Sequence, residues 1–187
     1  MRKITVFNRV SADGFFAGPK GEMDWFVHDP EVDKAAHERM KPDTLLLGRV
    51  TYQLFESFWP HVLKDPKSPE ELRNLAEELN QMTKIVFSKT LKDVSWVNAR
   101  LAGADIIKEV KGLKQGKGAD ITIFGSGSIV RQLADKGLID EYLLVVTPVI
   151  MGKGQSMFTD IGKFNLKLLE TKAFKSGNVL LHYQKAT

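Results

Sequence analysis

The sequence predicts an α/β fold of three layers: a mostly parallel central sheet of about eight strands, helices on both of its faces, and antiparallel strands at the C-terminus. Three observations carry this. The run Thr44–Gly48 is continuously apolar after its first residue, the pattern of a parallel strand buried on both faces, and Ile121–Gly125 reads as another buried strand. Segments with helical spacing separate such runs through most of the chain. From Glu141 onward, strand-like segments follow one another with no helix between them.

In chain order, Ile4–Val10 is β-branched and aromatic and reads as a strand, closed by the turn Ser11-Ala12-Asp13-Gly14. Phe15 to Val27, with Gly18, Pro19 and Gly21, reads as a long loop. Asp29-Pro30 has the form of an N-cap followed by proline at the first helical position, and Val32, Ala35, Ala36 and Met40 recur at helical spacing after it. The strand Thr44–Gly48 leads into a helix from Arg49 to about Phe58, with Leu54, Phe55 and Phe58 on one side. Leu72, Leu75, Leu79 and Met82 mark the next helix, Lys84–Ser88 a strand and Trp96–Asn98 a short one. Ile106, Ile107, Val110 and Leu113 indicate a helix. After Ile121–Gly125 comes another, Ser128–Lys136, ended by Gly137. Glu141–Ile150, Leu166–Ala173 and Val179–Tyr183 close the chain as strands, the last two joined through Phe174–Asn178. There is no internal repeat or linker, and a length of 187 residues suits one domain, residues 1–187.

Composition excludes several chemistries. The chain has no cysteine, which removes disulfides, thiolate metal sites and a cysteine nucleophile together. His28, His37, His61 and His182 show no ligand spacing, so no metal site is expected. The apolar run at the N-terminus is broken by Asn8 and Arg9 and is too short for a signal peptide, and no segment is apolar enough to span a membrane. A cytoplasmic protein without a membrane partner is the expectation. The net charge of +4 is spread without basic blocks, which argues against nucleic acid and suits an anionic small molecule.

Three strand ends gather the residues that such a ligand needs. Phe124-Gly125-Ser126-Gly127-Ser128 runs from a buried strand into a helix, where free backbone amides, close backbone approach and two hydroxyls favour phosphate; a tight turn with Ser128 as N-cap is the alternative. Leu47-Gly48-Arg49-Val50-Thr51 repeats the arrangement with a cation and a hydroxyl. Ser88-Lys89-Thr90 adds a third strand end. Ligands lie across strand carboxyl ends in open α/β sheets, so the three together suit a pyrophosphate with a further phosphate.

With Val10–Phe15 and Pro148-Val149-Ile150-Met151-Gly152-Lys153-Gly154, these motifs stand in an order that resembles the dihydrofolate-reductase superfamily, in particular its branch containing the riboflavin-biosynthesis reductase domain. The resemblance spans nearly the whole chain. It implies a dihydrofolate-reductase-like fold, NADPH as cofactor, and hydride transfer to a small heterocyclic or carbonyl/imine substrate of aminopyrimidine or pteridine type. It places Gly48, Arg49 and Thr51 on the adenosine-side phosphates, Ser88 and Lys89 near the 2′-phosphate and adenine, and Gly125, Ser126, Gly127 and Ser128 on the pyrophosphate. Arg49 and Lys89 favour NADPH over NADH. The loop Ala12–Trp25 becomes a lid, with Asp13 the catalytic candidate on the substrate side and Asp24 and Trp25 substrate-binding candidates. Asp13 reads equally as a turn aspartate, Asp29 as a helix cap and Lys153 as a turn lysine. The first helix offers Val32, Ala35, Ala36 and Met40 where the folate enzymes carry an acid, which argues against folate. A homodimer is implied too. A nucleotide-binding sensor or interaction module without turnover is the competing reading.

Overall fold

The structure, a computed structural model, describes residues 1–186. Its strands are β1 (Ile4–Ser11), β2 (Phe15–Ala17), β3 (Pro42–Gly48), β4 (Thr83–Phe87), β5 (Ala99–Leu101), β6 (Asp120–Phe124), β7 (Glu141–Thr147), β8 (Gln155–Ser156), β9 (Leu166–Ala173) and β10 (Val179–Lys185). Its helices are α1 (Pro30–Arg39), α2 (Arg49–Lys64), α3 (Glu70–Gln81), α4 (Ile106–Gln115) and α5 (Gly127–Asp135). Eight strands form one sheet in the order β5-β4-β3-β6-β1-β7-β10-β9. β5 through β7 run parallel, and β10 lies antiparallel to both β7 and β9. The three-layer α/β architecture with antiparallel C-terminal strands is therefore the one the sequence predicts.

Alternation along the strands sorts the core. Ile4, Val6, Leu46, Ile85, Ile121, Ile123 and Tyr142 face one side, where they pack with Val110 of α4 and with Ile129, Val130 and Leu133 of α5. The opposite side carries two clusters. One joins Leu143, Val145 and Leu180 to Val32, Ala35 and Ala36 of α1; the other joins Leu45, Leu47 and Val86 to Tyr52 of α2 and Leu79 of α3. This face is thus covered by α1 over one half and by α2 and α3 over the other.

The elements depart from the sequence reading in four places. α2 runs through Pro60 to Lys64 instead of stopping near Phe58. Trp59 and buried Val62 pack inward on either side of the proline, and that packing outweighs the hydrogen bond the proline cannot make. β5 begins at Ala99, not Trp96: Asn98 has φ 58°, and Trp96 is buried in the core. β7 ends at Thr147 because Pro148 cannot donate to the ladder. Phe15–Ala17, read as loop, pairs with Gln155–Ser156 as a separate two-stranded sheet. Among the described residues no helix is long and apolar enough to cross a membrane, and no cluster of three or more His, Asp or Glu could hold a metal.

One buried charge ties α3 to the strand that follows it. The Lys84 side chain is fully buried, donates to the carbonyls of Asn80 and Val97, each at 2.9 Å, and lies 4.4 Å from the centre of the Trp96 ring. Burial pushes its ammonium down to about 8. The folded chain therefore releases this proton at lower pH than the unfolded chain does, and stability rises with pH between the two values. Relative to Lys84→Met, the wild type should gain about 2 kcal/mol from pH 7 to pH 10, since each pKa unit is worth about 1.4 kcal/mol. Paired urea unfolding curves check this, and a constant difference across that range would refute it.

Candidate functional site

The three predicted strand ends are neighbours in the sheet, because β4, β3 and β6 lie side by side and point the same way. Their carboxyl ends deliver Ser88 and Lys89, Gly48 and Arg49, and Gly125 to Ser128 to one rim. Arg49 is exposed and reaches Gln53 at 3.2 Å instead of a carboxylate; Lys89 is exposed as well. Ser88 is partly committed, since its Oγ accepts the N–H groups of Thr90 at 3.1 Å and Leu91 at 2.9 Å and so closes its own turn.

Ser126 joins the other two ends. Its Oγ accepts the Gly48 N–H at 2.8 Å and donates to Thr51 Oγ1 at 2.9 Å. This approach explains the glycines: a Cβ on Gly48 would stand 3.2 Å from Ser126 Oγ, and one on Gly125 would stand 3.1 Å from Thr51 Oγ1. Gly125 and Ser126 both have left-handed backbone, φ 56° and 55°, and the turn delivers the chain to the start of α5. Ser126, not Ser128, is the cap residue of α5, and among the described residues neither α5 nor α2 has a side-chain cap hydrogen bond. α1 and α4 are capped, by Asp29 and Asp105. The two helices that open onto the rim therefore keep backbone donors free there, which is where an anion binds best.

On the other side of β6, the turn after β1 is organised by Asp13. Its carboxylate accepts the Ser11 hydroxyl at 2.7 Å, the Met151 N–H at 3.1 Å and the Gly152 N–H at 2.7 Å. The Ser11 hydroxyl, joined by these amides, holds the carboxyl below the usual aspartate range. Asp13 thus fastens the Pro148–Gly154 turn, on which Lys153 is exposed, to the base of the predicted lid. Asp24 is exposed, and Trp25 is half-buried against Phe26 with its ring edge-on. Asp29 is a helix cap, accepting the Glu31 N–H at 2.9 Å, and is also bonded by the Ser176 hydroxyl.

Beside the rim the two clusters on this face of the sheet meet. Phe7 of β1 packs in the cluster under α1 and Phe124 of β6 in the cluster under α2; the two rings meet edge-on at 5.6 Å where the clusters divide. Tyr52 and Glu56 bond toward the β4–β5 connection, whereas Thr51 bonds toward β6. Leu54 and Phe58, three and seven residues after Thr51, share its flank of α2, and both are exposed. His37 of α1 comes within 3.7 Å of Glu78 of α3 at the far end. Sequence reasoning missed Arg9, whose guanidinium is buried in this region, pairs with Asp33 of α1 and lies 5.1 Å from the Phe26 ring. Its only signal was a cation interrupting a strand, which was read as a break in an apolar run.

Comparison with known proteins follows this geometry. The family model of the RibD C-terminal domain matches residues 2–180. The uncharacterised Bacillus subtilis protein YyaP is 33% identical over 183 residues, 97% of this chain and 94% of its own. A Shewanella sp. PV-4 structure provisionally assigned to riboflavin biosynthesis superposes with a TM-score of 0.74 at 21% identity, covering 99% of both chains. Dihydrofolate reductase from Enterococcus faecalis, solved with NADP(H), superposes with a TM-score of 0.66 at 15% identity over 99% of this chain and 97% of its own. At these identities the superpositions establish a dihydrofolate-reductase-like fold.

Asp13→Asn keeps the shape of the side chain but gives up a charged acceptor for two backbone amides. Hydrogen exchange at Met151 and Gly152 should accelerate. Because the folded carboxyl titrates below its unfolded value, the wild type should also lose stability relative to the variant as pH falls from 6 to 3. Unchanged exchange at both amides would show that the carboxylate does not hold this turn.

Proposed function

Because the chain belongs to the RibD C-terminal domain family, we propose that it is an NADPH-dependent reductase of a small heterocyclic or carbonyl/imine substrate. The observation that carries this reading is the pair of helices, α2 and α5, that open at adjacent strand ends with no side-chain cap. Their free amides and the exposed Arg49 guanidinium, bonded to Gln53 and not to a carboxylate, suit the phosphates of a dinucleotide. Gly125, Ser126, Gly127 and Ser128 hold the pyrophosphate, and Gly48, Arg49 and Thr51 the adenosine-side phosphates. Lys89, beside Ser88, takes the 2′-phosphate. When bound, NADPH supplies the hydride; the chain supplies orientation.

The substrate is assigned to the surface over Phe7 and Phe124, where the clusters under α1 and α2 meet, near the exposed Leu54 and Phe58 of α2. Asp13 stays ionised and fully engaged, so its part is to position the turn at Met151–Lys153, not to deliver a proton. Asp24, exposed at the lid, is left to meet polar substrate groups from the solvent side.

NADPH should quench tryptophan fluorescence on titration, and an absence of any quenching would sink this reading. Arg49→Ala and Lys89→Ala should each weaken NADPH about tenfold, equivalent to about 1.4 kcal/mol, while changing NADH affinity far less. Equal losses for the two cofactors would remove the assignment of the 2′-phosphate.

A homodimer belongs to the same proposal. β9 is an eight-residue edge strand with Leu166, Leu168 and Leu169 exposed, a surface that a second copy would cover. Sedimentation should give a dimer, and Leu168→Lys should shift it to monomer; a wild-type monomer at all concentrations would overturn this part alone.

A further inference from the structure

Asn8 interrupts a buried apolar row. Alternation along β1 puts it on the face of Ile4, Val6 and Val10, which lie in the core that α4 and α5 cover, and Asn8 is buried with them. A buried amide in such a row is expected to be bonded, and its partners come from segments far away in sequence. Nδ2 donates to the Gly125 carbonyl at 3.3 Å and to Met157 Sδ at 3.0 Å.

The first of these bonds begins where the strand ladder stops. β1 and β6 pair in register from Ile4 with Ile121 to Phe7 with Phe124. The next step would set Asn8 opposite Gly125, but Gly125 turns to φ 56° and leaves the strand. The Asn8 side chain reaches across instead and takes up the Gly125 carbonyl; among the described residues it is the one group bonded there. A peptide unit is planar and trans, so its C=O and N–H point opposite ways. Holding the Gly125 carbonyl therefore aims the Ser126 N–H away from Asn8. No described residue accepts that N–H, and those of Gly127 and Ser128, which open α5, have no acceptor within the helix. Ser126 is left-handed and Gly127 helical, a succession that gathers neighbouring N–H groups around one concavity and seats an anion.

The back of the same turn is packed as well as bonded. A Cβ on Gly127 would stand 2.8 Å from Cζ of Phe16 and 3.9 Å from Cα of Met157, so the Phe16 ring lies directly against the first residue of α5. Met157 thus lines the turn with its backbone and fixes the Asn8 amide with its sulfur. Gly48 and Thr51 hold the Ser126 side chain from β3 and α2, whereas Asn8 holds the backbone from β1.

We propose that Asn8 is a positioning residue for the phosphate turn: by bonding the Gly125 carbonyl it sets the direction in which the Ser126, Gly127 and Ser128 amides meet a pyrophosphate. This rests on the reductase reading above and adds to it a residue that acts from behind the turn. The pyrophosphate is common to NADPH and NADH, so Asn8 serves both cofactors equally, unlike Arg49 and Lys89.

Asn8→Leu is the test, because leucine keeps a branched side chain, suits the apolar row and removes the donor. The affinity of the full chain for NADPH and for NADH, read by tryptophan quenching, should fall about tenfold for each, while the thermal midpoint stays within a few degrees of wild type. A role in packing alone would leave affinity unchanged at a temperature well below the midpoint. Asn8→Ala, which cannot crowd the site, should show the same equal loss and decides the matter if Asn8→Leu does not fold. Wild-type affinity for both cofactors in the variants, or a loss confined to NADPH, would overturn the positioning role and leave the reductase reading in place. If the wild type binds neither cofactor, that reading falls and the role falls with it.

Discussion

The hydroxyl of Ser126 is the point on which the candidate site turns. It takes the N–H of Gly48 and gives its own proton to Thr51, so the ends of β3 and β6 are locked before either helix begins. Holding a serine in left-handed backbone costs on the order of 1–2 kcal/mol. Two hydrogen bonds of about 1 kcal/mol each offset that. The same contact dictates Gly48 and Gly125, where a side chain would crowd the partner across the knot. Because Ser126 is spent on β3 and Thr51, it is not available to cap α5, and the helix amides stay open toward the rim.

The carboxylates show the complementary economy. Asp29 and Asp105 cap helices, and Asp140 accepts the Ile4 N–H and pairs with Lys114. Asp43 pairs with Arg2, and Asp13 holds a turn. Negative charge is thus bound into structural contacts, while Arg49 and Lys89 stand exposed at the strand ends. The net charge of +4 is modest, so the two exposed cations at the strand ends matter through their position and not through a strongly basic chain.

What the sequence revealed follows from the range of each interaction. Thr44–Gly48 and Ile121–Gly125 are legible as strands because burial on both faces leaves short runs whose one polar residue is a β-branched threonine, and the strand order of an α/β chain then brings their ends together. The Asp29 cap is legible because it bonds Glu31, two residues away. Asp13 is not, since its partners Met151 and Gly152 lie across the fold and no local pattern separates a clamp from a proton donor. The β2–β8 pairing is hidden for the same reason: both strands are too short to show alternation. Arg9 is invisible by pattern altogether, because a buried cation looks like a polar residue on a strand until Asp33 and Phe26 are placed around it.

These long-range ties also limit how the loop after β1 can move. Its first part is pinned by β2 against β8, and a side chain at Gly154 would strike the carbonyl of Ala17, so that the pairing is close as well as hydrogen-bonded. Its last part is pinned by Asn178, which is fully buried and donates to the Val27 carbonyl while accepting from Thr147. Between them, Gly18 to Glu22 bonds mainly to itself. The least anchored stretch therefore runs from Pro19 to Trp25 and ends beside Phe26, the ring that covers Arg9. Because Phe26 lies over the buried Arg9 guanidinium and Trp25 packs edge-on against Phe26, a displacement of that stretch shifts both rings against the cation that pairs with Asp33.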